Sequence, residues 1–222
     1  QLRYEELMRK AKIATGKTLL YREPPHYITL GKELPAKALD EILTDHAEVF
    51  TELKEYYKQT SESDTTKISF YEDTYSLYNL YRFAHYYEEA YGKYIWLKSG
   101  ASLVIEHTEA MTVIDVNTGS VLKKKKQEDT LFYQINREAA KEIARQLRLR
   151  NISGIIMIDF INMKDTAQKE KLLSLLDSEC KKDRVHCNVI DMTALNLVEM
   201  TRSKVRKPLH EQIRSCMKNN RS

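Results

Sequence analysis

The sequence predicts an α/β fold, and three observations support that prediction. Apolar segments typical of buried strands alternate with amphipathic segments of helical period, which is the pattern of a sheet with parallel neighbours. Two of the apolar segments, residues 113–117 and 155–159, run directly into a carboxylate. The chain has 222 residues, of which 42% are hydrophobic and 31% are charged, so it is long enough and apolar enough to bury a core.

The first part of the chain mixes short helices and strands. The amphipathic period predicts helices at residues 1–13 and 46–57, with a strand at 38–44 between them. Residues 59–66 are uniformly polar and predict a loop.

A tyrosine-rich segment, residues 71–94, follows that loop. The spacing of its rings suits a helix over residues 74–91 with an aromatic face. Such a face could stack nucleic-acid bases. Burial in a core or between domains is the favoured interpretation, because aromatic residues at helical spacing usually mark packing.

The second part of the chain alternates strands and helices more regularly. Strands are predicted at residues 94–97, 102–106, 110–115, 154–160 and 185–191. Helices are predicted at residues 130–150, 166–181 and 195–204. Residues 107–109 are short enough to join the second and third of these strands as a hairpin.

Asp115 and Asp159 stand at the ends of the two apolar strands. Ligands of α/β sheets collect where the carboxyl ends of parallel strands meet, so these carboxylates are candidates to share one metal ion. Asn117 leaves the same face of its strand as Asp115 and can hold that carboxylate. Mg²⁺, which binds one or two carboxylates with water and phosphate oxygens, is the predicted cofactor. An isolated strand-end aspartate is more often a cap, so the metal interpretation depends on its surroundings.

Charge is unevenly distributed along the chain. Residues 1–100 carry 14 Lys and Arg against 16 Asp and Glu, whereas residues 101–222 carry 22 against 16. A basic surface around a carboxylate metal site is typical of a nuclease, because it gathers phosphates. A run of four lysines, Lys123, Lys124, Lys125 and Lys126, follows Asn117 closely. Two interpretations of this run stay open, a phosphate clamp and a solvated loop.

Four blocks of sequence carry a family resemblance. They are LKSGASLVIEHTEA with IDVNTG in residues 97–119, NREAA with EIARQLRLR in 136–150, GIIMIDFINM in 154–163, and LVEMTR in 197–202. In this order they resemble the catalytic region of the RNase E/G family of endoribonucleases.

The resemblance implies an enzyme that cleaves single-stranded RNA in rRNA processing and mRNA decay. In that family Mg²⁺ is held by two aspartates that match Asp115 and Asp159, with Asn117 orienting them. Arg184 matches an active-site arginine, whose guanidinium would neutralise charge on the scissile phosphate.

The resemblance also implies an order of domains. Residues 1–24 would end a 5′-end-sensing region, 25–95 would form an RNase H-like subdomain, and 96–210 a DNase I-like α/β catalytic subdomain. The tail, residues 211–222, holds Cys216 without the second cysteine of the family's zinc link, so a zinc-linked dimer is not expected. Another homo-oligomer stays open.

Two classes of function stay open. One is a Mg²⁺-dependent endoribonuclease, and the other is a non-catalytic RNA-binding or assembly fragment, since the family's OB-fold domain and 5′-phosphate pocket would precede Gln1. A general phosphotransfer domain is disfavoured because the six glycines form no P-loop. The sequence predicts no membrane segment, and its three scattered cysteines predict a cytoplasmic location.

Overall fold

Residues 2–22, 24–33, 39–59, 67–119 and 128–219 are described by the computed structural model of the chain. The chain divides into two units, Gln1–Leu80 and Tyr81–Ser222. The boundary predicted at residues 95/96 falls instead inside the strand Tyr94–Trp96, which pairs within the second unit. The assignment of the units to named subdomains stays a prediction.

The first unit is built around two short parallel strands. Its described elements are α1 (Leu2–Ile13), α2 (His26–Glu33), β1 (Glu41–Thr44), α3 (Ala47–Gln59), β2 (Lys67–Phe70) and α4 (Leu77–Leu80). Leu53 and Tyr57, one helical turn apart on α3, pack with Ile28 of α2 into a small core. The predicted helices and strand of this region are confirmed, while the predicted loop lies outside the described residues except for Gln59.

The tyrosine-rich segment differs from its prediction in two ways. The expected single helix is split into α4 and α5 (Phe83–Tyr91), because Arg82 between them has a left-handed φ of 53°. The expected burial of the rings is also wrong. The following tyrosines are between 48% and 55% exposed: Tyr75, Tyr78, Tyr81, Tyr86, Tyr87 and Tyr91. A tyrosine ring can lie at the surface with its polar end toward water, and helical spacing alone does not distinguish that arrangement from packing.

The second unit holds a mixed sheet. Its strands in the described residues are β3 (Tyr94–Trp96), β4 (Ser102–His107), β5 (Met111–Asn117), β6 (Gly154–Asp159), β7 (Cys187–Met192) and β8 (Leu197–Arg202). Their order across the sheet is β3-β4-β5-β6-β8-β7. Among these strands β5 and β6 pair in parallel, and the other neighbours are antiparallel. The α/β class is confirmed, with one parallel pair where more were expected.

Helices cover one face of this sheet. They include α6 (Glu128–Leu149) and α7 (Thr166–Cys180), and α8 (Leu209–Asn219) follows the last strand. Apolar side chains repeat at helical spacing along α6 and α7 and pack against alternate strand residues in the core. Those on the helices are Ile135, Ala139, Ile143, Leu147, Leu172 and Leu176. This confirms the stripe predicted for residues 130–150.

Residues 195–204, predicted as a helix, contain β8 instead. Val198, Met200 and Arg202 are buried alternately, which is the period of a strand. β8 inserts between β6 and β7, which supply backbone partners on both of its edges. These long-range pairings override the helix propensity of a short segment, which sequence periodicity cannot separate from a strand.

None of the helices in the described part of the chain combines the length and apolar character that a membrane crossing requires. Residues 211–219 of the predicted tail form most of α8. The side chain of Cys216 lies outside the described residues, so the zinc link stays untested.

Candidate metal-binding and active site

Two carboxylates lie side by side at the carboxyl ends of β5 and β6. Asp115 and Asp159 are register partners in this parallel pair. Paired residues on neighbouring strands are about 4.8 Å apart and project from the same face of the sheet. The structure therefore brings together the two residues that the sequence predicts as metal ligands. Asp115 is half-buried and Asp159 is exposed, so solvent reaches the pair.

Asn117 holds one of these carboxylates. It lies two residues beyond Asp115 on β5, and its Nδ2 donates a hydrogen bond of 2.7 Å to Asp115 Oδ2. A hydrogen bond of this kind turns the carboxylate and limits its rotation, as outer-sphere partners of metal ligands do. This is the contact that the predicted orienting role of Asn117 requires.

The electrostatics of the pair suit a cation. The pKa of Asp159 is raised, first by partial burial and second by the negative charge of Asp115. Both effects disfavour two negative charges side by side, and a divalent cation between them would offset both. Two carboxylates fit Mg²⁺, which takes its other ligands from water and phosphate. Within the described ranges, no group of three or more His, Cys, Asp or Glu forms a denser metal site.

The segment after Asp159 is anchored by Asn136 of α6, which is fully buried. Asn136 Nδ2 donates to the carbonyl of Ile161 at 2.7 Å, and Asn136 Oδ1 accepts from the N–H of Ile161 at 3.0 Å. Both polar ends of one side chain thus bind the backbone of one residue. This pair of bonds fixes where the chain goes once β6 has ended.

The turn before β4 is anchored in a similar way by Glu138. Its carboxylate accepts from the N–H of Lys98 at 2.7 Å and from the N–H of Ser99 at 3.3 Å. The same turn approaches the end of β5 closely, since a Cβ placed on Gly119 would lie 2.7 Å from the carbonyl oxygen of Gly100. Two side chains of α6, Asn136 and Glu138, therefore hold the loops on either side of the carboxylates.

Sequence reasoning gave Asn136 and Glu138 no role, although both fall in the NREAA block. A signal was present for Asn136, because it lies four residues before Ala140 and seven before Ile143, on the same apolar face of the helix. A polar side chain that shares a buried helical face must find a hydrogen-bond partner there. The identity of that partner, Ile161, depends on the tertiary structure.

Arg184 lies near the amino-terminal end of β6, whereas the carboxylates lie toward the carboxyl ends of β5 and β6. It precedes Cys187, which pairs with Arg202, and Arg202 pairs with Gly154 at the start of β6. From Gly154 to Asp159 the strand spans about 17 Å. The prediction that Arg184 joins the active site is therefore corrected. Asp159 ends β6 and Asp115 lies two residues before the end of β5, whereas Arg184 precedes a strand that runs in the same direction as β6.

The four consecutive lysines, Lys123, Lys124, Lys125 and Lys126, fall in residues 120–127 and lie outside the described residues. Their role as a phosphate clamp stays a prediction.

The profile of the Ribonuclease E/G family matches residues 1–205 of the chain. The chain is 37% identical over 203 residues to a protein named Ribonuclease G from Haemophilus influenzae, covering 91% of this chain and 41% of that protein. It is 34% identical over 206 residues to Ribonuclease G of Escherichia coli strain K12, covering 93% and 42%. It is 30% identical over 214 residues to Ribonuclease E of Nostoc sp. strain PCC 7120, covering 95% and 31%.

The chain thus spans about two fifths of the length of the two ribonuclease G relatives. The family match extends over the first unit and most of the second, and it confirms the resemblance carried by the four sequence blocks. The chain belongs to the ribonuclease E/G family.

Proposed function

We propose that the chain carries the catalytic metal site of an endoribonuclease that hydrolyses single-stranded RNA with Mg²⁺. The observation that supports this most directly is that Asp115 pairs in register with Asp159 near the carboxyl ends of two parallel strands. Mg²⁺ bound there would lower the pKa of a water molecule and neutralise charge on the scissile phosphate. A cytoplasmic location and a part in rRNA processing and mRNA decay belong to the same proposal.

Hydrogen bonds from neighbouring side chains restrain Asp115 and the loops beside the carboxylates. Asn117 donates to Asp115 Oδ2, which limits the rotation of this carboxylate. Asn136 and Glu138 anchor the adjoining loops to one rigid helix, α6. Displacements of about 1 Å at such a site can cost roughly 100-fold in rate, so these anchors position the reacting groups.

RNA as the substrate is supported by the family and by charge. The relatives carry the names Ribonuclease G and Ribonuclease E. Residues 101–222, which include both aspartates, carry 22 Lys and Arg against 16 Asp and Glu. Excess positive charge around the site would attract a phosphate backbone and make binding strongly dependent on salt.

Cleavage of a 5′-monophosphorylated single-stranded RNA, in Mg²⁺ and in EDTA, tests the proposal. Asp115→Asn and Asp159→Asn are compared with Asp177→Asn, which makes the same chemical change in an exposed ion pair of α7. We expect Mg²⁺-dependent cleavage that falls by about 100-fold or more in both site variants and is unchanged in the control. Cleavage that persists in both site variants would contradict the metal assignment.

A non-catalytic RNA-binding or assembly fragment is the second candidate. The matched region is about two fifths of the length of the ribonuclease G relatives, and in this candidate the region binds RNA or a partner without cleaving by itself. Calorimetric titration with Mg²⁺ separates the two candidates. Mg²⁺ binding that Asp159→Asn removes, without any cleavage by the unaltered chain, would indicate an intact metal site that does not turn over alone.

A further inference from the structure

β3 places two aromatic side chains on the face of the sheet away from the core. Trp96 is 73% exposed and Tyr94 is 60% exposed, whereas Ile95 between them is 6% exposed. Side chains alternate between the two faces along a strand, so both rings project from one side and Ile95 from the other. β3 also lies at the edge of the described sheet, next to β4. The two rings form an open aromatic surface.

The register of the strands places Tyr94 on the same face as the carboxylates. Tyr94 pairs with Val104, Val104 pairs with Asp115, and Asp115 pairs with Asp159. Paired residues project from the same face, so these residues form one row across four strands. With about 4.8 Å between neighbouring strands, Tyr94 lies about 10 Å from Asp115.

Trp96 belongs to the adjacent row, which contains Asn117. Trp96 pairs with Ser102, and Ser102 pairs with Asn117. Two strand spacings again give a separation of about 10 Å. A nucleic acid with one phosphate at the carboxylates could therefore lay its neighbouring nucleotides over these rings.

A lysine lies at each end of β3. Lys93 precedes the strand, pairs with Glu106, and holds its Nζ 5.8 Å from the centroid of the Tyr94 ring. Lys98 follows the strand and is exposed. Cations beside exposed aromatic rings suit a ligand that combines phosphates with planar bases. The combination favours single-stranded RNA over an apolar protein surface.

We propose that Trp96 and Tyr94 form a base-stacking platform that positions single-stranded RNA beside the scissile phosphate. The proposal rests on the proposed function, because it takes the carboxylates as the place of cleavage. Stacking on an aromatic ring changes affinity by about 5- to 150-fold per base and tolerates every base. The platform therefore orients the strand without selecting its sequence.

Trp96 is the single tryptophan of the sequence, so tryptophan fluorescence reports on this platform alone. The chain is titrated at low salt in EDTA, which prevents metal-dependent cleavage. The probes are a labelled single-stranded RNA and an abasic strand of equal length and charge. We expect the RNA to quench the tryptophan emission, and the abasic strand to bind more weakly without quenching it.

Variants measure how much each ring contributes. Trp96→Ala should lower RNA affinity by about 5- to 150-fold, and Trp96→Phe should lower it less. Tyr4→Ala removes an exposed tyrosine from α1 and should leave affinity unchanged. Because Trp96 is 73% exposed, its truncation removes little buried surface, and thermal unfolding checks that the fold is intact.

The outcomes separate this proposal from the proposed function. Asp115→Asn should lose Mg²⁺-dependent cleavage and keep the quenching. RNA binding that neither quenches the emission nor weakens in Trp96→Ala would overturn the platform and leave the endoribonuclease proposal standing. A lower sedimentation mass of Trp96→Ala, with unchanged RNA affinity, would assign the rings to a second copy of the chain and overturn it too. Absence of RNA binding would also overturn the platform. The endoribonuclease proposal would then be tested by the cleavage assay alone.

Discussion

The side-chain amide of Asn136 and the backbone of Ile161 exchange two hydrogen bonds, of 2.7 Å and 3.0 Å, across 25 residues of chain. Asn136 is 0% exposed, so this polar side chain lies wholly within the core between α6 and the sheet. The contact joins the end of β6, and with it Asp159, to the packing of α6. The position of one predicted metal ligand therefore depends on the stability of a helix.

Replacing Asn136 with alanine should destabilise the second unit by about 2–4 kcal/mol. The change removes two hydrogen bonds and leaves the N–H and C=O of Ile161 without partners. The affinity for Mg²⁺ should fall as well, because the segment after Asp159 loses its anchor. Urea denaturation and calorimetry measure the two effects. Gln134→Ala, on the exposed side of α6, is the control, and equal stability of the two variants would show that the contact is dispensable.

Gly119→Ala should be more destabilising than Gly154→Ala. Both glycines have positive φ, 57° and 89°, so alanine at either position carries backbone strain of about 1–2 kcal/mol. At Gly119 the new Cβ would also lie 2.7 Å from the carbonyl oxygen of Gly100, whereas at Gly154 nothing lies within 4 Å. The difference between the two unfolding free energies measures the contact between the end of β5 and the turn before β4. Equal losses of unfolding free energy in the two variants would show that the turn before β4 shifts without destabilising the fold.

The imidazole rings of His107 and His210 stack with centroids 3.8 Å apart, which holds the start of α8 against the β4–β5 hairpin. Burial lowers the pKa of His107 to about 4, with the charges of His210 and Arg150 as lesser causes. Burial likewise lowers the pKa of His210. Between pH 6.5 and about 4 the folded chain therefore binds fewer protons than the unfolded chain. Stability is present above this window and is lost as the pH falls through it.

We expect a loss of roughly 1–2 kcal/mol across this window, reduced from the full shift by solvent screening. Around His210, Arg214 and Lys204 act in the same direction as burial, and Glu211 opposes them. Urea denaturation at several pH values measures the loss. His107→Gln should flatten this part of the profile, and His46→Gln, at an exposed position of the first unit, should not. Identical profiles for both variants would refute the assignment.

Asp183→Asn should destabilise the second unit by about 3–5 kcal/mol. The side chains of Arg202 and Asp183 are 3% and 4% exposed and form an ion pair of 2.9 Å, so the change leaves a buried cation without its counter-charge. Asp177→Asn, in an exposed pair, should change stability by less than about 0.5 kcal/mol. The affinity of Asp183→Asn for Mg²⁺ should be unchanged, because the Arg202–Asp183 pair lies at the start of β6 and the carboxylates lie toward the other end of the strands. Reduced Mg²⁺ affinity in the folded variant would place Asp183 in communication with the metal site.

The sequence by itself determined the elements whose signal is local. The stripe of α6 repeats at helical period, and the strands that end at Asp115 and Asp159 are apolar runs of strand length. Two carboxylates near strand ends meet only if those strands are parallel neighbours in register, so the pattern predicted their adjacency and the pairing of β5 with β6 decided it. The spacing of Asn117 from Asp115 likewise needs the geometry of one strand only. Family membership was also readable, because each of the four blocks lies within a short local segment of the chain.

Only the tertiary structure decided the features that depend on distant partners. Residues 195–204 contain a strand because β6 and β7 offer it backbone partners on both sides. The exposure of the tyrosines of α5 is also a tertiary property, because helical spacing fixes which residues share a face but not what covers that face. Arg184 falls outside the metal site because the order and direction of the strands place it near the start of β6, and the aspartates lie toward the other end. Trp96 lies on the face of the carboxylates because of strand register, which arises from pairing across the sheet and leaves no periodic signal in the sequence.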